Sequence, residues 1–379
     1  MTLHAHVTGW GMAVPERVLT NAELEQMVDT TDEWIVTRTG IRERRVVKEG
    51  ESTATLAARA ARRALANTDL APRDINLIIV ATASPEHLFP ATACIVQDMI
   101  GATNAGAFDL SAACTGFIIA LNMAAQAIRS GSITNALVIG AETLSRLVNW
   151  EDRNTCVLFG DGAGALVLEA SERPGGVLSC VMRSDGSGGE LLSVPAGGSH
   201  MPTSLETVHR RLHTIHMNGR EVFRFATRVM ASATREATAQ AGLSLEQIDL
   251  IVPHQANLRI IESAARSLHL PMERFMINID RYGNTSSASI PIAIAEAVEH
   301  GRVRPGDHLI LVAFGGGLTW GALALEWVEP ERRISIARSK RRRALAFLAR
   351  VRSLIRRILR KLEGLIWGAS SSAAAEKDL

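Results

Sequence analysis

The stretch Ile75-Asn76-Leu77-Ile78-Ile79-Val80 is a short apolar run rich in β-branched residues, as suits a strand buried on both faces. It returns as Ile248-Asp249-Leu250-Ile251-Val252, and two further runs repeat in the same order. Ala136-Leu137-Val138-Ile139-Gly140 is echoed by His308-Leu309-Ile310-Leu311-Val312, and Gly164-Ala165-Leu166-Val167-Leu168 by Gly321-Ala322-Leu323-Ala324-Leu325. Each spacing is near half of the first 330 residues. Helical stretches such as Ala91 to Met99 and Leu258 to Leu268 alternate with these runs, which predicts an α/β protein. The ordered repeat predicts two similar halves packed face to face, with a site where their loops converge. Buried strands also look alike for compositional reasons alone, and the pattern by itself does not exclude that.

Hydrophobic residues make up 47% of the 379 and charged residues 21%, enough apolar material for one large or two medium cores. Cys94, Cys114, Cys156 and Cys180 are widely spaced and form neither a CxxC pair nor a group with histidine. Neither a disulfide framework nor a metal site is expected, and a reducing cytoplasm fits. The first residues lack a basic segment followed by an apolar one, and no uncharged apolar run of membrane-spanning length occurs, so secretion and integral insertion are not expected. The net charge of +2 hides an asymmetry, because residues 332 to 361 hold thirteen Lys and Arg and no acid. Setting those thirteen of the 41 bases aside leaves 28 against 39 acids, a balance of −11. An acidic globule carrying a basic tail suggests two functional regions.

Cys114, in Ser111-Ala112-Ala113-Cys114-Thr115-Gly116-Phe117, stands where a short strand gives way to the helical run Ile118 to Ala125. A thiol at the positive end of a helix dipole is expected to have its pKa lowered from about 8.5 toward neutrality, making it a nucleophile. Small neighbours leave room for a thioester, although a Cys among alanines also reads as core. His254 follows Leu250-Ile251-Val252-Pro253 at the carboxyl end of a strand, where α/β sites lie. Asn284, in Tyr282-Gly283-Asn284-Thr285-Ser286, is able to donate a hydrogen bond but not to accept a proton. Singly, His254 and Asn284 also read as turn or cap residues. Together the three residues suit thioester chemistry followed by carbanion stabilisation.

Six ordered blocks carry a resemblance to β-ketoacyl-acyl carrier protein synthase III, the initiating condensing enzyme of type II fatty acid synthesis. They are residues 31 to 44, Ala112 to Phe117, Phe159 to Ala165, Val252 to Arg259, Gly283 to Ser286 and Ala313 to Gly321, within a resemblance covering roughly residues 3 to 328. It implies a five-layered α-β-α-β-α thiolase fold of two pseudo-duplicated halves, residues 1–172 bearing the Cys and 173–330 bearing the His and Asn, usually as a homodimer. It implies an acyltransferase that condenses an acyl-coenzyme A primer with malonyl-acyl carrier protein through an acyl-Cys114 intermediate. His254 and Asn284 would hold the enolate oxygen, and the N–H groups of Cys114 and Gly316 the acyl oxyanion. No cofactor is implied beyond acyl-CoA as substrate. Trp34, Arg38 and Arg153 match the coenzyme A site, and Phe159, Met217, Gly219, Phe223, Ala256 and Asn257 the tunnel walls or the Asn257 water network. Phe89 matches a residue that reaches into the other subunit's acyl pocket. Arg224, Arg259 and Arg266 match the carrier-protein patch. Arg220 departs from the family's smaller, uncharged residue, so the family's tunnel-mouth contacts do not carry over to it. Relatives with the same triad make secondary metabolites, so a condensing enzyme of such a pathway is an alternative. A catalytically idle, membrane-recruited scaffold is another. The need for thiolate with neutral imidazole predicts that activity falls in mild acid.

Residues 331–379 have no counterpart in that pattern. Phe347, Leu348, Val351, Leu354, Ile355, Ile358, Leu359, Leu362, Leu365 and Ile366 recur at helical spacing, with Arg350, Arg352, Arg356, Arg357, Arg360 and Lys361 opposite. A basic amphipathic helix is expected, suited to an anionic membrane surface, an acidic partner such as carrier protein, or the acidic body itself. No aromatic platform accompanies it, so nucleic acid is not an expected partner. Ser370 to Leu379 reads as disordered.

Overall fold

Two principal sheets organise the chain in a computed structural model, which describes residues 2–328 together with Val351, Ile355, Ile358, Leu359 and Leu362. In the first sheet the strands lie in the order His4–Ala13, Asp161–Ser171, Asn135–Thr143, Leu77–Ala81, Gly106–Leu110. Leu77–Ala81 runs parallel to both its neighbours, and the other pairings are antiparallel. All nine residues of Asn135–Thr143 are buried, which accounts for its continuous apolar run. The second sheet has the order Leu250–Pro253, His308–Gly315, Thr319–Glu326, Gly176–Ser184, with the first pair parallel.

The three echoed runs occupy equivalent places. Leu77–Ala81 corresponds to Leu250–Pro253, Asn135–Thr143 to His308–Gly315, and Asp161–Ser171 to Thr319–Glu326. The counterpart of Gly106–Leu110 is reduced to one parallel bridge, Ile251 to Phe275.

Helices Gly116–Arg129 and Ser289–Glu299 are apolar around most of their circumference because they lie between the sheets. Phe117, Leu121, Ile290 and Ile294 pack there with Ile79, Val138, Leu309 and Leu311 in one cluster. Truncating a residue of this layer such as Leu121 to Ala costs about 2–5 kcal/mol. Thr53–Ala66 and Thr92–Ile100 cover the outer face of the first sheet, and Gly219–Gln240 and Leu258–Leu268 that of the second. The result is the five-layered α-β-α-β-α arrangement expected. Five residues of the anticipated tail helix, Val351, Ile355, Ile358, Leu359 and Leu362, are helical and exposed; the rest of that helix and Ser370 to Leu379 lie outside the described residues.

Candidate active site

Cys114 sits in the turn Ala113–Thr115 that joins the edge strand to the buried helix Gly116–Arg129. The turn is clamped to the second half by the Thr115 and Thr319 hydroxyls, 2.7 Å apart. The end of strand His308–Gly315 presses on the nucleophile closely. A Cβ at Gly315 would lie 2.8 Å from the Cys114 nitrogen, so only glycine fits. Ala113, Ser286 and Leu318, each within two residues of Cys114, Asn284 or Gly316, have positive φ of 45°, 48° and 45°. Such backbone costs about 1–3 kcal/mol per residue and persists only where packing enforces it.

His254 leaves the strand Leu250–Pro253 with its N–H donated to the Val312 carbonyl at 2.7 Å, and its ring stands edge-on to Phe314 with centroids 5.5 Å apart. Its Nδ1 is 2.7 Å from the Ser289 hydroxyl. A hydroxyl both donates and accepts, so Ser289 accommodates either imidazole tautomer and leaves Nε2 as donor or base. Gln255 fixes this loop by donating to the Pro253 and Met276 carbonyls while its Oε1 accepts from the Asn278 N–H.

Asn284 is held in a bridge to Phe159, donating its N–H to the Leu158 carbonyl at 2.8 Å and accepting from the Gly160 N–H at 3.0 Å. Its side-chain oxygen accepts from the Ser286 N–H at 2.8 Å, which leaves the amide NH2 as the donor end.

Cys114, His254 and Asn284 line one cavity with Phe159, Met217, Gly219, Phe223, Ala256 and Asn257. A second, wider cavity also reaches Cys114 and is lined by Ser111, Leu144, Leu147, Ile215, Ser286 and Gly316. The sulfur therefore stands where two spaces meet. Asn257 is engaged structurally as well, because its Oδ1 accepts from the Arg259 N–H as a helix cap and its Nδ2 donates to the Arg38 carbonyl, both at 2.9 Å. That second bond connects the cavity wall to Trp34, whose ring carries the Arg38 and Arg153 guanidinium groups at 5.7 and 5.5 Å. Phe89 is exposed and lines neither cavity. Arg220, Arg224, Arg259 and Arg266 are exposed, Arg224 paired with Glu221 at 3.3 Å and Arg259 over the Phe223 ring at 5.4 Å.

The electrostatics correct the expectation of a thiol pushed toward neutrality by its helix. Burial pushes the Cys114 thiol up to about 12, the Ser286 hydrogen bond opposes this, and the Glu142 carboxylate adds to it. Burial also holds the His254 imidazole down at about 3. Burial is the largest influence on both groups, and the resting pair is neutral thiol with neutral imidazole. Protonation of His254 is not what would lower activity in mild acid, since the imidazole stays neutral well below that range; the thiolate fraction of Cys114 still falls as pH drops.

Two residues escaped the sequence reading. Ser289 lies in a serine-rich run that reads as a turn. Glu142 is fully buried behind Cys114 and accepts from the Ala83 and Ser84 N–H groups at 3.1 Å and from the Ser84 and Ser287 hydroxyls at 2.6 and 2.8 Å. Burial pushes its pKa up, and the hydrogen bonds from Ser84, Ser287 and Ala83 oppose that shift. A lone carboxylate just beyond Ala136-Leu137-Val138-Ile139-Gly140 was the available signal, because buried acids require partners.

The chain matches the family described as 3-oxoacyl-[acyl-carrier-protein (ACP)] synthase III over residues 108–186, and that family's C-terminal part over 238–327. A beta-ketoacyl-[acyl-carrier-protein] synthase III of Roseiflexus sp. (strain RS-1) is 55% identical over 327 residues, 86% of this chain and 99% of the relative. One from Symbiobacterium thermophilum is 57% identical over 321 residues, 85% and 97% of the two chains. The crystal structure of 3-oxoacyl-[acyl-carrier-protein] synthase III from Aquifex aeolicus VF5 aligns with a TM-score of 0.79 at 48% identity, covering 85% of this chain and all of that one. The priming beta-ketosynthase of the R1128 polyketide biosynthetic pathway aligns with a TM-score of 0.80 at 36% identity, covering 87% and 98%. With the repeated thiolase-fold halves and their shared cavity, these likenesses place the chain in the β-ketoacyl-acyl carrier protein synthase III family of acyltransferases.

Proposed function

We propose that this chain carries out the decarboxylative condensation of an acyl-CoA primer with malonyl-acyl carrier protein, starting fatty acid synthesis in the cytoplasm. The observation that carries the reading is the single cavity shared by Cys114, His254 and Asn284. The Cys114 sulfur attacks the primer carbonyl, its proton leaves to the neutral imidazole, and the imidazolium returns that proton to the expelled coenzyme A sulfur, which departs as the thiol. An acyl-Cys114 thioester remains, its chain in the wider cavity. Malonyl-acyl carrier protein then loses carbon dioxide, and the electron pair of the broken carbon–carbon bond becomes an enolate. The His254 Nε2–H and the Asn284 amide hold that oxygen in a site of low polarity, where such donors act most strongly. The enolate carbon attacks the acyl-enzyme, the N–H groups of Cys114 and Gly316 receive the oxyanion, and the sulfur is expelled.

Trp34, Arg38 and Arg153 suit stacking of adenine and neutralisation of phosphate. Phe159, Met217, Gly219, Phe223, Ala256 and Asn257 serve as tunnel wall, and Arg224, Arg259 and Arg266 meet the acidic carrier protein. The exposed Phe89 and the edge strand with Phe108, 43% exposed, suit association with a second copy whose acyl cavity the Phe89 ring enters.

Mass spectrometry of the chain mixed with acyl-CoA primers tests the reading. An acyl adduct on Cys114, absent from Cys114→Ala, together with carbon dioxide release from malonyl-acyl carrier protein, is the expected result. Acylation without consumption of the malonyl substrate would favour transfer to another acceptor.

A further inference from the structure

The family match stops at residue 327, and a relative covered over 99% of its own length accounts for 86% of this chain. Residues 331–379 are thus an addition to the catalytic body. At 100° per residue, Val351, Ile355, Ile358, Leu359 and Leu362 fall within an arc of about 100°, which Leu354 and Leu365 widen to about 140°. Arg350, Arg352, Arg356, Arg357, Arg360 and Lys361 occupy the opposite half. The five apolar residues are helical and 37–51% exposed, so the acidic body does not bury their stripe.

Three occupants remain, and an acidic protein such as carrier protein would pair with the arginines yet leave the wide apolar arc without a partner. A second copy of the helix would need a narrower apolar seam flanked by charges of both signs, whereas here every charge from 332 to 361 is positive and two such helices repel. An anionic bilayer satisfies both faces at once. The wide apolar arc enters the acyl boundary while the arginines meet lipid phosphates. The run from 344 to 366 carries six bases and one acid and is too charged to cross. We propose that the segment 344 to 366, through the apolar stripe of Val351, Ile355, Ile358, Leu359 and Leu362 and the arginines between them, attaches this enzyme to the surface of anionic phospholipid. The inference stands apart from the chemistry at Cys114.

Sedimentation of the full chain with phosphatidylcholine vesicles, with and without phosphatidylglycerol, tests it. Binding is expected to be about tenfold or more stronger with phosphatidylglycerol and to weaken as salt is raised. The double substitution Ile355→Glu and Leu359→Glu abolishes binding but leaves turnover on soluble substrates unchanged, which also verifies folding. Arg356→Glu weakens it roughly fivefold or more. Equal binding to both vesicle types would overturn the proposal. So would no binding, or a double variant that still binds vesicles but loses self-association or carrier-protein binding in their absence.

Discussion

Strand Asn135–Thr143 of the first sheet and strand His308–Gly315 of the second hold the same central place, yet their carboxyl ends do different things. One delivers Glu142, a buried carboxylate that gathers the 82–84 loop and Ser287 behind the nucleophile. The other delivers Phe314 and Gly315, which back His254 and press on Cys114. Leu77–Ala81 and Leu250–Pro253 diverge in the same manner, the first leading into the loop that binds Glu142 and the second into His254. A duplicated scaffold keeps its buried strands because packing fixes them, while strand ends and loops are free to acquire separate roles. On the proposed reading the first half forms the acyl-enzyme and the second activates the malonyl group, so the two steps should separate by mutation.

Asn284→Ala offers the largest test of that division. Condensation should fall about 10²–10³-fold, the usual effect of removing one oxyanion donor, while the Cys114 adduct still forms. Equal loss of both, in mass spectrometry and carbon dioxide release, would end the division. Ser289→Ala removes the hydroxyl beside Nδ1 and should lower kcat roughly tenfold with little change in KM, as expected for one lost hydrogen bond. Glu142→Gln removes a negative charge behind the sulfur, so the pH midpoint for iodoacetamide alkylation of Cys114 should move down, on the order of one unit. An unmoved midpoint would show that Glu142 acts on shape alone.

The same contrast has a thermodynamic signature. Folded His254 stays neutral to about 3, while an unfolded imidazole protonates near 6.5. Between those values the unfolded chain binds more protons, so stability falls as pH drops, with a limiting slope of about 1.4 kcal/mol per pH unit from this group. Urea denaturation across that range should show the component in the parent chain and not in His254→Gln. The smallest effect belongs to the rim. Arg153→Ala should raise the KM for acyl-CoA about two- to fivefold with kcat unchanged, as for loss of one exposed cation–π contact.

Much of this was legible in the chain. The runs at 75–80, 136–140 and 164–168 and their echoes marked six of the nine strands of the two principal sheets, because a strand buried on both faces must be apolar throughout. Leu258–Leu268 was readable to the residue, because its periodicity is a local signal. Cys114, His254 and Asn284 were legible from their blocks. The long-range environment was not. The thiol was read from its helix, a local effect, whereas burial is the largest influence on its state.

By itself the sequence determined the period of the strands, the duplication, the residues able to do chemistry and the charge of the tail, since each depends on side-chain type and spacing along the chain. Tertiary structure alone decided that Ser289 meets His254, that Glu142 lies behind Cys114, that Gly315 must lack a side chain, and that both titratable members of the site rest neutral. Those properties come from atoms far apart in the chain that exclude water together, and desolvation is a property of the assembled volume rather than of any segment.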